Sequence, residues 1–265
     1  MQLIWICAAL WLLQPPHTQA KNVQRPQFEV ASIKRNIDGT RVGFGPAPGG
    51  RLLVLNNATL NLIINAYNVR PYQILGAPAW ANTEHYDMEA KAAGNPTPAQ
   101  IMLMLQTLLE DRFKLKVHRE TRDLPVFVLT PAKGGVKLPP STTNCVQFDP
   151  NVPARARGAD DKPLPFCNNI LSGRGGNMRW SAQNIGIEQL IGALSSSMGR
   201  QVIDKTGFKG RFDLNLEYSP DPAPADATLP SIVTVLQEEL GLKLDSSKGS
   251  VEILVIDHIE RPSEN

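Results

Sequence analysis

Residues 201–218, QVIDKTGFKGRFDLNLEY, decide how the whole chain is interpreted. An apolar pair leads into a glycine-containing turn, after which Phe212, Leu214 and Leu216 alternate with polar residues. Such alternation is typical of a half-buried β-strand, so the stretch predicts a β-hairpin. A degenerate version, YQILGAPAWANTEHYDMEAK, occupies residues 72–91 and predicts a second hairpin of the same kind.

Amphipathic helices flank both copies. Asn57 is placed to cap the helix before the first copy, and Thr97 and Gln100 form a capping box for the helix after it. The apolar positions recur in the second half at a nearly constant offset, which predicts a duplicated chain. The matched sets are Leu60, Ile63, Ile64 and Tyr67 with Ile187, Leu190, Ile191 and Leu194; Tyr86 and Asp87 with Phe212 and Asp213; Leu105, Leu109 and Phe113 with Ile232, Leu236 and Leu240; and Val126 and Val128 with Val251 and Ile253.

Each half is predicted to run strand, helix, hairpin, helix, hairpin, which gives an α+β fold with helices packed on one face of the sheets. The last hairpin of the first half is expected at residues 115–122 and 126–130. We expect the first repeat at residues 27–130 and the second at 178–265. Residues 131–177 are rich in proline and glycine and lack apolar periodicity, so they are expected to form a linker or a long surface loop.

The charge of the chain is nearly balanced. Its 265 residues include 27 basic and 25 acidic side chains, a formal net charge of +2, whereas nucleic-acid-binding proteins concentrate a basic excess. Nucleic-acid binding is therefore not expected. The hydrophobic fraction of 42% is ordinary for a globular chain with buried cores.

Residues 1–20 have the layout of a secretory signal peptide. An apolar run at residues 3–13 is followed by Pro15, Pro16 and the small residue Ala20. The run is shorter than the roughly 20 residues that span a bilayer, so we expect cleavage, a periplasmic or extracellular location and no membrane span afterwards. No lysine or arginine precedes the run, which leaves an uncleaved anchor or a misplaced start codon as alternatives.

Cleavage would remove Cys7 and leave Cys145 and Cys167 in the same proline-rich segment. An even pair of cysteines in an exported chain predicts a disulfide, because the compartment is oxidising. Two free thiols are the alternative if the chain stays in the cytosol. The sequence lacks a CxxC pair and any Cys/His cluster at ligand spacing, so neither a metal nor another cofactor is expected.

The motif Asp204-Lys205-Thr206-Gly207 resembles the phosphorylated-aspartate motif of P-type ATPases, in which a carboxylate attacks a phosphoryl group. The sequence around it has neither membrane helices nor a nucleotide-binding loop, so we interpret the motif as structural. Asp204 and Thr206 are expected to order a turn through side-chain hydrogen bonds to the backbone. Gly207 and Gly210 are expected to give that turn a permissive backbone.

Histidines are the remaining candidates for acid-base chemistry, and His85 is isolated among them. One candidate set is His118 with its neighbours Arg119 and Glu120, and the other is His258 with Asp257 and Glu260. They would form acid-base sets if strands of the two halves converge. Surface strand positions are the preferred interpretation. No contiguous catalytic motif is present, so no catalytic residue is assigned.

Two tryptophans, Trp80 and Trp180, lie near predicted strand ends. They would suit a groove that binds sugar or peptide, but an aromatic side chain at such a place more often packs its domain core. Core packing is therefore the preferred interpretation.

Four segments together resemble one protein family. They are FEVASIK at 28–34, RFKLKVHRE at 112–120, VIDKTG at 202–207 and VIDHIERPSEN at 255–265. They are similar to an uncharacterised family of exported proteins that is associated with soil bacteria and expanded in acidobacteria. The resemblance extends from about residue 27 to residue 265. In that family the domain sometimes follows a membrane metallopeptidase of the β-lactam-sensor type, which implies an envelope setting, and no catalytic residues are established that could be carried over.

Two functions remain. The preferred hypothesis is an exported, non-enzymatic module that binds a peptide, a protein or another envelope component, for which strand addition to an open sheet edge is the best-known mode. The alternative is a hydrolase or other enzyme with a non-contiguous site between the halves. A deep pocket with converging histidine and carboxylate groups would favour the enzyme, whereas an open sheet edge would favour the binding module.

Overall fold

The computed structural model describes residues 25–39, 41–146, 161–174, 177–220 and 228–262. The predicted signal peptide lies outside the described residues. Among those that are described, every helix is too short or too polar to cross a bilayer.

The first half of the chain supplies six strands and three α-helices to the described structure. They are β1 (Val30–Asn36), β2 (Gly43–Ala47), β3 (Arg51–Ala58), α1 (Thr59–Tyr67), β4 (Ile74–Leu75), α2 (Trp80–Thr83), β5 (His85–Lys91), α3 (Pro98–Arg112) and β6 (Lys116–Pro131), with a 3₁₀ turn at Pro71–Gln73 before β4.

The second half supplies the remaining strands and helices. They are β7 (Asn169–Arg174), β8 (Asn177–Gly186), α4 (Ile187–Met198), β9 (Val202–Asp204), β10 (Arg211–Tyr218), α5 (Ile232–Glu239) and β11 (Leu242–His258).

The strands form three sheets. The first outer sheet has the order β1-β5-β3-β2, the second outer sheet has the order β10-β8-β7, and both are antiparallel. The central sheet has the order β4-β11-β6-β9, in which β6 and β11 are antiparallel and the short edge strands β4 and β9 are parallel to their neighbours. The predicted α+β class is confirmed.

Each outer sheet covers its own hydrophobic core. The first core lies between the first outer sheet, α1, α3 and the end of β11, and contains the fully buried Leu62, Leu105 and Phe113. The second core lies between the second outer sheet, α4, α5 and the start of β11, and contains the fully buried Leu190 and Phe212. Because β11 packs its start on one core and its end on the other, the two halves share the central sheet.

The hairpins predicted at residues 201–218 and 72–91 are both wrong. In residues 201–218, β9 joins β6 of the central sheet while β10 joins β8 of the second outer sheet. In residues 72–91, β4 joins β11 while β5 lies between β1 and β3. Both strands of each stretch are present, but they belong to different sheets. An alternating pattern indicates a strand and leaves its partner undetermined, since the partner is chosen by packing.

The hairpin predicted at residues 115–130 is also wrong. These residues form the single strand β6, which pairs along its length with β11 from Pro131↔Leu242 to Lys116↔His258. A hairpin of 115–122 with 126–130 would need a turn at residues 123–125, yet Pro125 lies opposite Lys248 in the ladder. A partner strand of matching length overrides this local turn signal.

Two smaller predictions also need correction. Asn57 does not cap α1: it lies in β3, and its side-chain amide donates to the backbone oxygens of Gly43 at 2.8 Å and Leu55 at 3.0 Å. The expected linker at residues 131–177 is not entirely irregular, because it contains β7, whose six residues pair with β8.

Candidate functional site

The two histidine sets converge only in part. Nδ1 of His118 lies 2.9 Å from both carboxylate oxygens of Asp257, and its Nε2 lies 3.9 Å from Oε2 of Glu120. His258 pairs within its own set, with its Nε2 and Oε1 of Glu260 2.8 Å apart. The side chains of His118 and Asp257 are 50% and 47% exposed, so water surrounds and screens the pair. This arrangement is a surface pair and lacks the enclosure of an acid-base site.

The isolated histidine and the two tryptophans have structural surroundings. Nδ1 of His85 lies 3.2 Å from the backbone oxygen of Thr83. Trp180 is 2% exposed in the second core, and its indole N–H donates to Oδ1 of Asn169 at 3.0 Å. Trp80 packs against the first core. The tryptophans therefore belong to different cores, as preferred from the sequence.

Arg261 ties the C-terminal segment to the first core. Its guanidinium lies 5.0 Å from the ring centroid of Trp80 and donates hydrogen bonds of 2.7 to 3.0 Å to the carboxylate of Glu84. The hydrogen bonds from Arg261 lower the pKa of Glu84 in spite of the opposing effect of burial. The charged groups of Arg261 and Glu84 pair with each other, so we interpret the cluster as a structural contact that holds the C-terminal segment against the first core.

The ATPase-like motif forms a closed turn. The backbone N–H and the hydroxyl of Thr206 both donate to Oδ1 of Asp204, at 2.8 and 2.7 Å, and the N–H of Phe208 donates to Oγ1 of Thr206 at 3.1 Å. Gly207 has a φ of +70°, which favours glycine, and a Cβ at Gly210 would lie 2.8 Å from the Phe208 ring. The carboxylate is therefore used by the turn itself.

Cys145 and Cys167 form a disulfide with their Cα atoms 5.0 Å apart. Next to it the backbone N–H of Cys167 donates to the oxygen of Val146 at 2.9 Å, and the side chain of Asn184 donates to the oxygen of Cys145 at 3.3 Å. The disulfide thus joins the segment before β7 to a segment that lies against β8. It fixes the point at which the chain enters β7.

Asp213 anchors the same segment from β10. Its carboxylate accepts hydrogen bonds from the hydroxyls of Ser141 at 2.6 Å and Thr143 at 2.8 Å, and from the backbone N–H of Asn184 at 2.8 Å. Burial alone would raise the pKa of Asp213, but these hydrogen bonds outweigh it and lower the pKa. The charged carboxylate therefore connects β10, the bulge in β8 and the segment leading to the disulfide.

Strand β7 forms one edge of the second outer sheet, and β10 forms the other. Strand β7 pairs with β8 on one side, and on its other side no strand of the described chain pairs with it. Large apolar side chains are exposed along or beside this edge, with exposures of 55% for Ile170, 47% for Leu171 and 44% for Phe166. An open edge with exposed apolar side chains is a common place for another chain to bind.

A cavity of about 470 Å³ opens beneath this edge, and we call it the edge cavity. Its volume falls within the roughly 300–1,000 Å³ typical of ligand pockets. The walls come from β6, β7, β8, α4, β10 and α5 and the residues that follow them. Its lining residues are Phe127, Leu171, Met178, Ser197, Met198, Arg200, Tyr218, Pro220 and Ile232.

The polar groups of the edge cavity are few. The guanidinium of Arg200 lies 5.5 Å from the ring centroid of Phe127, and burial raises the pKa of Tyr218. Tyr218 therefore stays a neutral phenol at ordinary pH. Among the described residues, the cavity lining includes neither a carboxylate nor an imidazole. These residues offer apolar contact, hydroxyl groups and one positive charge.

Sequence reasoning missed both β7 and the edge cavity. The apolar pair Ile170-Leu171 was the available signal for a strand, but it stands in a segment dominated by proline and glycine. The cavity walls are distant in sequence and meet only through the sheet pairing.

Comparison with known proteins yields a family and no characterised relative. No curated protein matches the chain, and no solved structure matches it either. The profile of a family described as "Protein of unknown function (DUF3738)" matches residues 60–259, which include the second core, most of the first core, β7 and the walls of the edge cavity. The chain therefore belongs to the DUF3738 family of proteins of unknown function.

Proposed function

We propose that this protein is an exported, non-enzymatic binding module that takes up an extended polypeptide segment by strand addition at β7. The observation that carries the proposal is the outer edge of β7, which pairs with no strand of the described chain and is flanked by the exposed Phe166, Ile170 and Leu171. An added strand would extend the ladder with its backbone, and its alternate side chains would supply specificity.

A comparison with the other outer sheet supports the choice of β7. In both sheets an asparagine in the left-handed conformation marks a bulge, Asn56 with φ 49° and Asn184 with φ 51°. Four residues before each asparagine, Leu52 pairs with Pro46 of β2 and Trp180 pairs with Leu171 of β7. Proline in a sheet is tolerated where its nitrogen faces away from the ladder, so Pro46 blunts the edge of β2. Leu171 keeps the N–H that Pro46 lacks.

The hydrolase alternative has weaker support. His118 and Asp257 lie 2.9 Å apart, yet both are about half exposed and lie outside the walls of the edge cavity. General acid-base catalysis benefits from a site that excludes water. The groups that could transfer protons and the cavity that could hold a substrate are thus separate.

The cellular setting belongs to the same proposal. Export is supported by the apolar run in residues 1–20, by the disulfide and by the resemblance to exported acidobacterial proteins that are sometimes fused to a membrane metallopeptidase. We further propose a repeat at 27–130 and another at 178–265, joined by residues 131–177. The shared bulge asparagines support this division.

Selection from a displayed library of random peptides tests the function. The bait is the chain from residue 21 onward with its disulfide intact, and the binding of selected peptides is measured by fluorescence anisotropy and by hydrogen exchange. Bound peptide should slow exchange of the β7 amides about tenfold or more, since they gain ladder hydrogen bonds. The amides of β2 should not change.

A reciprocal pair of variants provides the control. Leu171→Pro should weaken peptide binding about tenfold by removing an edge donor, whereas Pro46→Leu should leave it unchanged. Circular dichroism checks that both variants are folded. Peptide binding that leaves the β7 amides unprotected in the wild-type chain would overturn the proposal without reference to any variant.

A further inference from the structure

We infer that the segment bound at β7 carries a large apolar side chain, which enters the edge cavity, and a carboxylate, which pairs with Arg200. The inference rests on the proposed strand addition and deepens it. It defines the ligand as a peptide with an apolar residue close to an acidic group, at a C-terminus or in a side chain.

The apolar part follows from the direction of side chains at the edge. Leu171 pairs with the buried Trp180, so its side chain points to the inner face of the second outer sheet and forms a wall of the edge cavity. In an added strand, residues beside Leu171 would alternate in the same way and direct every second side chain toward the cavity. Met178 and Met198 contribute adaptable apolar wall there, which suits side chains of more than one shape.

The carboxylate follows from Arg200. Its side chain is exposed at the cavity and contacts the Phe127 ring, and within the described residues it forms no ion pair. Arg179 on the neighbouring β8 has an acidic partner, Glu217, with Nε and Oε1 3.7 Å apart. Arginine recognises carboxylates through paired N–H donors. Since the described residues that line the cavity include no acidic group, this positive charge is available for a ligand.

Synthetic peptides test the two parts separately. The probe is a fluorescent peptide of alternating threonine and valine that ends in leucine with a free carboxylate. Its C-terminal amide, the same amide with an internal glutamate, and a version that ends in alanine are compared with it. The free acid should bind about fivefold more tightly than the amide at low salt, the range of a partly exposed ion pair. Replacing leucine with alanine should weaken binding about tenfold.

Variants assign the charge to its residue. Arg200→Gln should remove the preference for the acid. Arg179→Gln, which changes an arginine of β8 that already has the acidic partner Glu217, should leave that preference intact. The amide with an internal glutamate distinguishes a terminal carboxylate from a side-chain one, since a side-chain site would restore the lost affinity. Recovery of the affinity and failure to recover it both agree with recognition of a carboxylate by Arg200, and they differ only in where the peptide carries that carboxylate.

Three outcomes would contradict the inference. If acid and amide bind equally with β7 protected from exchange, the carboxylate is not recognised and the proposed function stands. If no peptide protects β7, the proposed function fails as well. If analytical ultracentrifugation shows a dimer that Leu171→Pro abolishes, the occupant of the edge is a second copy of this chain and the inference is overturned.

Discussion

Each outer sheet contains an aspartate that accepts a hydrogen bond from the backbone of a bulge asparagine, and the two sheets differ in the segment beside that aspartate. In the first outer sheet, Asp87 accepts the backbone N–H of the bulge residue Asn56 at 2.7 Å. In the second outer sheet, Asp213 accepts the N–H of Asn184 at 2.8 Å. In each case the carboxylate stabilises an asparagine with positive φ by satisfying an N–H that the bulge leaves out of the ladder.

The difference lies in the segment beyond each aspartate. Beside Asp87 runs the seven-residue strand β1, whose Asn36 donates its side-chain amide to the carboxylate at 3.0 Å. Beside Asp213 the described chain forms an isolated bridge between Pro140 and Phe212 and no full strand, and the hydroxyls that bind the carboxylate follow this bridge. In the second outer sheet, side-chain hydrogen bonds and a disulfide take the place of a strand ladder. The segment beside Asp87 is therefore held by backbone hydrogen bonds, and the segment beside Asp213 by side-chain contacts and the disulfide.

Removing the disulfide should have the largest effect on this comparison. Cys145 and Cys167 are separated by 22 residues in sequence. For a loop of this size the chain-entropy model gives a disulfide contribution of about 3 kcal/mol to the free energy of unfolding. Replacing both cysteines with serine should lower stability by up to that amount and loosen the segment around the disulfide and β7. Both halves should remain folded. Denaturant unfolding gives the loss, and hydrogen exchange should show unchanged protection in β1 and β5; equal loosening of both sheets would contradict the comparison.

Asp213→Asn should cost somewhat less, about 2 kcal/mol at neutral pH, because it weakens several charge-assisted hydrogen bonds. The pKa of Asp213 is lowered in the folded protein, so its contribution is complete above the unfolded pKa of about 3.9 and is lost as pH falls through the folded pKa. The difference between wild type and variant should therefore shrink in acid.

Asp87→Asn is the matched variant in the first outer sheet. We expect a smaller loss there, since Asn36 and Asn56 provide two donor groups whereas Asp213 accepts from Ser141, Thr143 and Asn184. Urea unfolding as a function of pH measures the loss of stability in both variants.

For Asp213→Asn, a destabilising effect that grows on acidification would show that the carboxylate does not stabilise the fold in its charged form.

The smallest effect is expected at Tyr67 in α1, which the sequence pattern matches with Leu194 in α4. The buried hydroxyl of Tyr67 has no hydrogen-bond partner in the described structure, and burial, with a contribution from Glu110, raises its pKa to about 12. Tyr67→Phe should leave stability at neutral pH within about 0.5 kcal/mol of wild type or increase it slightly.

The pH dependence of the Tyr67→Phe variant has a defined sign. In the unfolded chain a tyrosine loses its proton near pH 10, whereas folded Tyr67 holds it to about pH 12. Wild-type stability should therefore fall relative to Tyr67→Phe above about pH 10. Thermal unfolding of both proteins checks this. A loss of more than about 1 kcal/mol at neutral pH would mean that the hydroxyl has a partner after all.

The helix N-termini show which capping motifs could be predicted from the sequence. The capping box predicted at α3 is present, with Gln100 N–H donating to Oγ1 of Thr97 at 3.3 Å and Thr97 N–H donating to Oε1 of Gln100 at 2.8 Å. Asn57 carried a similar signal but belongs to β3, because the strand runs directly into α1 with Ala58 as its N-cap residue. A cap motif is reliable where the preceding residues are free of a sheet.

The candidate site was less predictable than the helices. Its cysteines were identified from composition and compartment, and the structure joins them in a disulfide. Nothing in the sequence marked Leu171, Arg200 and Tyr218 as walls of one cavity, because a cavity is defined by residues that are distant in sequence and close only after folding. The preference for a binding module over an enzyme came from the predicted export signal, the predicted duplication, the nearly balanced charge and the absence of a contiguous catalytic motif in the sequence.

By itself, the sequence determined the α+β class and the positions of the amphipathic helices and of most strands. These properties depend on periodicity and on neighbours a few residues apart, which the chain carries locally. The tertiary structure alone decided that β6 and β11 run as long partners, that β4 and β9 leave their predicted hairpins for the central sheet, and that β7 keeps an open edge. Strand partners are chosen by the burial of apolar faces across the whole molecule, and no local pattern encodes that choice.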